Sequence, residues 1–370
     1  MHSLSFWRGK QVFITGYTGF KGAWLCKTLE ILGANVTGYA LEPPIKPNLF
    51  NICKPEAASV TGDIRDYDKL LATLEKVRPE IVIHMSAQPL VLDSYRQPRH
   101  TYEVNVMGTV NILECLRLNG SVKSILNVTT DKVYLNTERK DGYSEDEKLN
   151  GFDPYSNSKS CSELITDCYN NSFFKQTGVS VSTTRSGNVI GGGDFSGNRL
   201  VPDCYRALAK NEKIKIRNPD AVRPYLHVLD TLFVYLEIAQ KQYLDSAFVG
   251  SYNIAPNEED CVSSKELAGY FCEAWGNGAD WEHVPVDSNP HESGILKLDC
   301  SKIKKVLGWE QKWDIKKSVK NTAMWYRAYF NGGEPNRIMR EQIEYFIKTA
   351  NGVYNKDSAW ALNERTKLND

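Results

Sequence analysis

Two short clusters carry residue types that could do chemistry together. Thr129-Thr130-Asp131-Lys132-Val133-Tyr134 sets hydroxyls, a carboxylate and an amine just past an apolar run, and Tyr155-Ser156-Asn157-Ser158-Lys159 follows. Tyr155 and Lys159 stand four apart, which puts both on one face of a helix. A tyrosine has an ordinary pKa near ~10 and is a poor base at neutral pH. A neighbouring ammonium favours the phenolate, so Lys159 is expected to lower the Tyr155 pKa. Thr130 would share the proton of a substrate hydroxyl, and the three together make an alcohol-oxidising group. Tyr-x-x-x-Lys also occurs on ordinary surface helices, so its meaning depends on its setting.

Asp131 and Lys132 exceed what alcohol oxidation needs. Once a carbon is oxidised to a ketone, the neighbouring C–H becomes acidic and a hydroxyl beyond it can leave. That elimination requires a general acid for the departing oxygen and a group that takes or steers the C–H proton. Asp131 and Lys132 suit these two tasks; a solvated Asp-Lys turn is the plainer reading.

The elements that must position these residues are legible in order. Gln11–Thr15 reads as a buried strand, running into Gly16-Tyr17-Thr18-Gly19-Phe20-Lys21-Gly22 and then a helix closed by Gly33. Strand, glycine loop and helix form the setting of a dinucleotide-binding turn, in which a pyrophosphate rests on the helix N-terminus. The spacing is G-x-x-G-x-x-G. A second strand spans 35–41, and no Arg near its end welcomes a 2′-phosphate, which favours NAD. Glu42 there is either a ribose ligand or a loop residue. The strand Ser59–Ile64 ends in Asp63, which either caps the helix starting near Tyr67 or meets the adenine amino group. A fourth strand, 79–87, ends in small residues at Ala87, with Gln88 following. Helices over 99–118 and 155–176 flank a fifth strand, 124–130, whose end carries the first cluster. A positively charged nicotinamide there would add to the pull on the Tyr155 proton.

The alternation predicts an α/β fold: a doubly wound parallel sheet of Rossmann type, with ligands outside the carboxyl ends of its strands. A sixth strand, 179–185, opens into Ser186–Asp194, where the rhythm changes. The expected division is a cofactor lobe over 1–188 with 225–255 returning to it. A smaller mixed α/β lobe spans 189–224 and 256–340, and a surface helix with a tail spans 341–370. With 45 basic and 45 acidic residues the net charge is zero, which speaks against nucleic acid or a membrane surface as partner. Met1–Arg8 lacks the apolar segment of a signal peptide. Nine cysteines without a C-x-x-C pair fit reduced thiols in the cytoplasm, and six scattered histidines argue against a metal site.

Several separated motifs carry a family resemblance over about Phe6–Phe330. They are Gly16–Gly22, Gly38–Pro44, Ser86–Leu90, Thr129–Tyr134, Asp153–Lys159, Arg185–Asp194 and Val222–Asp230. The chain resembles the extended short-chain dehydrogenase/reductases, and within them the nucleotide-sugar 4,6-dehydratases. The resemblance implies bound NAD, held by Gly16, Thr18, Gly19, Phe20, Gly22, Asp63, Ile64, Ala87, Gln88, Thr129, Tyr155 and Lys159. It implies that a sugar is oxidised at C4 with Tyr155 as base and Thr130 assisting. Water is then lost across C5 and C6, and hydride returns to C6. Asp131 would protonate the departing hydroxyl. Most such dehydratases carry a Glu after this Asp to take the C5 proton. Lys132 stands there instead, resembling the branch that acts on CDP-glucose and feeds deoxysugar biosynthesis. Asn188, Arg199, Arg217 and Arg223 would meet the substrate diphosphate. The helices holding Asn105 and Tyr155 imply a homodimer or homotetramer. A nucleotide-sugar 4-epimerase would need no acid beyond Thr130, and a non-catalytic NAD-binding scaffold would need neither cluster intact.

Overall fold

The computed structural model describes residues 4–197, 199–284 and 296–350. Its centre is a parallel sheet built by alternating elements. These are β1 (Gln11–Thr15), α1 (Phe20–Ile31), β2 (Asn35–Ala40), β3 (Ala58–Thr61), α2 (Tyr67–Val77) and β4 (Ile81–His84). They continue as α3 (Gly108–Leu118), β5 (Ser124–Val128), α4 (Pro154–Tyr169), β6 (Ser180–Ser186), α5 (Val228–Leu244) and β7 (Ser251–Ile254). The strand order is β7-β6-β5-β4-β1-β2-β3, every pair parallel. The order of succession turns back between β1 and β4, and the crevice outside the carboxyl ends at such a point is where ligands bind in these sheets.

Alternation along each strand feeds two apolar layers. Val12, Ile14, Ile81, Ile83 and Leu126 point into the layer shared with α1 and α5. Phe13, Val82 and Ile125 point into the opposite layer with Ile112, Leu113 and Leu116 of α3. Helix α4 is seated differently. Its buried residues are Ser156, Ser158, Lys159, Ser160, Ser162, Glu163 and Thr166. Asn127 of β5 donates to the hydroxyls of Ser162 at 2.9 Å and Thr166 at 2.7 Å, and Asn105 donates to Ser158 at 2.9 Å. Hydrogen bonds between buried polar side chains seat this helix against the sheet, with Ile165 and Tyr169 packing beside them.

Among the described residues, three short strand pairs lie beyond the main sheet: Val189–Ile190 with Leu226–His227, Val222–Pro224 with Cys261–Ser263, and Ile214–Ile216 with Trp281–His283. Further helices, among them α6 (Ile315–Phe330), bury Trp313 and Trp325 fully.

Some expectations need correction. The two long helices are not uniform: π-helical turns occupy Glu103–Met107 and Asn170–Phe174. The helix near Tyr67 is capped by Asp66, whose side chain accepts from the Lys69 N–H, and not by Asp63. The C-terminal helix α7 (Pro335–Ala350) starts before 341 and is no simple surface helix. Ile338, Met339, Ile343 and Phe346 are buried, and Arg340 pairs with Glu30 of α1 at 2.7 Å. The chain thus returns to the first lobe once more than expected. The expected tail, 351–370, lies outside the described residues. Among the described residues no helix is long and apolar enough to cross a membrane.

Candidate active site

The glycine loop joins β1 to α1 at the turning point of the sheet. Gly16 has φ of 72°, and a Cβ there would stand 2.8 Å from the backbone of Met85 and Ser86 after β4. Gly22 packs so close that a Cβ would lie 2.4 Å from the Gly16 carbonyl oxygen. Gly19 differs: a Cβ would meet nothing nearer than 3.4 Å, and this N-cap residue brings no side-chain bond to the first turn of α1. Two glycines fold the loop tightly, and the third leaves room beside the first turn of α1, where a helix N-terminus suits a pyrophosphate.

Other expected cofactor residues divide. Thr18 Oγ1 donates to the Leu41 carbonyl at 3.0 Å, tying the loop to the end of β2. Phe20 lies against Gly191. Asp63 is held by Arg65 at 2.6 Å, and that hydrogen bond lowers its pKa below the ordinary carboxylate value. Ile64 is buried against Gly108, while Glu42 accepts from Thr61 at 3.0 Å. Ala87 is half-buried, three residues past the end of β4. The Gln88 amide is engaged by its own loop, donating to the Leu90 carbonyl at 3.1 Å and to Thr101 at 2.9 Å. Thr129 turns inward: its hydroxyl donates to Glu163 and, at 3.1 Å, to the Thr184 carbonyl.

The hydroxyl, carboxylate and amine of Thr130, Asp131 and Lys132 sit where β5 ends. Thr130 caps a short helical turn, Asp131–Val133, and its hydroxyl donates to Asp131 Oδ1 at 2.9 Å. Lys132 Nζ pairs with the same oxygen at 3.2 Å. The Asp131 side chain is 2 % exposed and that of Lys132 37 %. The other Asp131 oxygen faces Gly187, where a Cβ would lie 2.0 Å away, so only glycine fits beside this carboxylate. Asp153 caps α4 by accepting from the Ser156 N–H, bringing Tyr155 to the same mouth.

The electrostatics differ from the expectation in one respect. Burial raises the Tyr155 pKa, and the leading opposing influences are Lys132 and a hydrogen bond with Thr130, not Lys159. Lys159 points down to the Val128 carbonyl at 3.0 Å, and burial together with Lys21 brings its pKa to about 8. Desolvation opposes the charge of Lys132, but Asp131 and Tyr155 outweigh it, and its pKa stands above the ordinary lysine value.

Of the expected substrate residues, Asn188 holds a left-handed backbone, φ 37°, directly after Gly187. Such strain clusters at binding sites. Arg199 pairs with Asp194 at 3.0 Å and its charge reaches Tyr155; that of Arg223 reaches Lys132. Arg217 is exposed beyond the strand Ile214–Ile216, and nothing among the described residues ties it to Tyr155 or Lys132.

Residues the sequence did not single out complete the floor. Glu163, one helical turn beyond Lys159, pairs with Arg185 of β6 at 2.9 Å and accepts from Thr183 at 2.6 Å. Arg185 also donates to the Tyr134 hydroxyl at 2.7 Å and the Glu145 carbonyl at 2.8 Å. The spacing 155, 159, 163 continues one helix face, and that signal was available.

A family model described as GDP-mannose 4,6 dehydratase matches residues 13–322. The chain is 44 % identical over 355 residues to a CDP-glucose 4,6-dehydratase of Salmonella typhimurium, covering 94 % of this chain and 99 % of that one. It is 28 % identical over 337 residues to the human dTDP-D-glucose 4,6-dehydratase, covering 87 % and 91 %. Among solved structures, UDP-glucose 4-epimerase of Thermotoga maritima with UDP-glucose superposes with a TM-score of 0.74 at 22 % identity, covering 86 % of this chain and 99 % of that one. dTDP-glucose 4,6-dehydratase of Bacillus anthracis in complex with NAD gives 0.71 at 21 %, covering 88 % and 99 %.

Proposed function

Because the chain belongs to the GDP-mannose 4,6-dehydratase family, within the extended short-chain dehydrogenase/reductases, we propose that it is an NAD-dependent hydro-lyase converting CDP-glucose to CDP-4-keto-6-deoxyglucose. The carrying observation is the Asp131–Lys132 pair beside Tyr155 and Thr130, since a 4-epimerase has no use for it. The open Gly19 turn and the tight Gly16 and Gly22 contacts fit NAD, with Lys159 beneath Tyr155 suited to its ribose. NAD held there would supply hydride chemistry between C4 and C6, leaving the reaction with no net redox change.

The chain's own groups account for the rest. Tyr155 takes the C4 hydroxyl proton, with Thr130 sharing it and the Lys132 charge favouring the phenolate. Asp131 protonates the departing C6 oxygen, and Lys132 serves at C5. Asn188, Arg199 and Arg223 would receive the diphosphate, arginine being suited to bidentate contact with phosphate. Arg217 remains a further candidate for that role. The substrate's base is supported by the 44 % relative alone. Met107, Leu118 and Leu164 stand exposed on and beside α3 and α4, which supports pairing of two copies through these helices. Nine free cysteines support a reducing, cytoplasmic setting.

The test is incubation with CDP-[4-²H]glucose. The expected product is a CDP-4-keto-6-deoxy sugar with deuterium at C6. An epimerised CDP-sugar, or no turnover, defeats the reading. The same assay with dTDP-, UDP- and GDP-glucose decides the base.

A further inference from the structure

Elimination needs a lone pair at C5 and a proton at the C6 oxygen at the same moment. Asp131 and Tyr155 favour the ammonium form of Lys132, and an ammonium cannot accept another proton. Its Nζ lies 3.2 Å from Asp131 Oδ1, within reach of direct proton transfer. Thr130 donates to the same oxygen at 2.9 Å, and Gly187 closes off the other. The acid and the base are therefore in contact with each other, apart from their contacts to substrate.

We propose, resting on the dehydratase reading above, that Asp131 and Lys132 share one proton and arm each other. The Nζ–H proton passes to Asp131 Oδ1, leaving a neutral amine and a neutral carboxylic acid. Lys132 Nζ then takes the C5 proton, and the C5–H electrons become the C5=C6 double bond. The C6–O bond breaks as Asp131 gives its proton to that oxygen, which departs as water. Lysine ends as ammonium and aspartate as carboxylate, the pair with which the step began. No proton is drawn from solvent and no oxidant is required.

Physical chemistry favours the transfer when a sugar fills the mouth. Excluding water penalises an ion pair more than a neutral hydrogen-bonded pair. The groups facing Lys132 are Asp131, Tyr155 from α4 and Arg223 from the strand Val222–Pro224; Arg199 reaches Tyr155 from the second lobe. Arg223 disfavours the ammonium, and the proton on Tyr155 after oxidation removes one of the influences that favoured it.

The experiment is single-turnover stopped flow on the NAD-loaded enzyme with CDP-glucose. NADH absorbance rises on C4 oxidation and decays once elimination has permitted its return. Wild-type decay is expected to be flat between about pH 6 and 9, because the pair carries its own proton. In Asp131→Asn the amine must lose its proton to water, so the residual decay should be at least about 100-fold slower and rise nearly tenfold per pH unit. Decay in Asp131→Asn that is flat or falls with pH overturns the proposal, since it makes Lys132 a fixed cation that steadies the enolate. Absence of the NADH rise in wild type defeats the substrate reading instead. The pair is then judged without substrate, by NMR titration of ¹³C-methylated lysines with Lys132→Arg identifying the signal. An unchanged Lys132 pKa in Asp131→Asn overturns the shared proton, since the two groups would then not be coupled.

Discussion

At the scale of single residues, the proposed mechanism divides the site into an oxidising half and an eliminating half, with Thr130 at the seam. Its hydroxyl donates to Asp131 and is also hydrogen-bonded with Tyr155. Replacing Tyr155 by Phe removes the base and leaves the Asp131–Lys132 pair in place. C4 oxidation is then expected to fall about 10²–10⁴-fold, measured as the rate of NADH appearance, while NAD affinity by fluorescence titration falls far less. An equal loss of NAD binding and of rate in this variant would mean that the phenol acts through holding the cofactor. The cation beside the phenol is the surprise at this scale. Tyr155 and Lys159 share a helix face in the sequence, yet Lys159 is drawn down to the Val128 carbonyl, and Lys132, from a loop, faces the phenol.

At the scale of elements, what was local in the chain was legible and what was assembled across it was not. The run Gln11–Thr15, the glycine loop and the closing Gly33 follow one another directly, so strand, turn and helix could be read in place. Glu163 and Arg185 lie on different elements, and their pairing exists only because α4 lies across β5 and β6. Thr129 looked like a cleft residue by its position at a strand end, but the buried Glu163 carboxylate draws it inward. The buried face of helix α7 was hidden for another reason. Its charges alternate along the chain, while Ile338, Gln342 and Phe346 recur every fourth residue on one buried stripe. The Glu163–Arg185 pair makes a prediction at this scale. Glu163→Gln leaves a buried guanidinium unpaired, which costs about 3–5 kcal/mol when one partner of such a pair is removed. The variant should melt several degrees lower and lose activity through misplaced Thr129 and Lys159, with Glu163→Asp restoring part of both. An unchanged melting temperature would show that water or Tyr134 satisfies Arg185 unaided.

At the scale of the whole molecule, the return of the chain to the first lobe is fastened at Asp230. This residue near the start of α5 is 1 % exposed and accepts from the backbone N–H groups of Lys312 at 2.7 Å and Trp313 at 3.3 Å. Burial raises its pKa to about 7, against an ordinary 3.8, although those N–H groups pull the other way. A folded-state pKa above the unfolded one contributes stability that is complete below the unfolded value and lost as pH rises through the folded value. The window is therefore about pH 4–7. Wild type should lose stability relative to Asp230→Asn as pH rises from 5 to 8, read as a change in the difference between their melting temperatures. A difference that stays constant across that range would place the Asp230 pKa outside it.

The polar seat of α4 has a thermal consequence. Apolar association weakens on cooling, so helices held by packed hydrocarbon lose part of their grip in the cold. The bonds from Asn127 and Asn105 to the Ser and Thr hydroxyls of α4 do not depend on that force. The helix that carries Tyr155 and Lys159 is thereby insulated from the temperature dependence of the core around it, and the alignment of the oxidising pair should persist at low temperature even as overall stability declines.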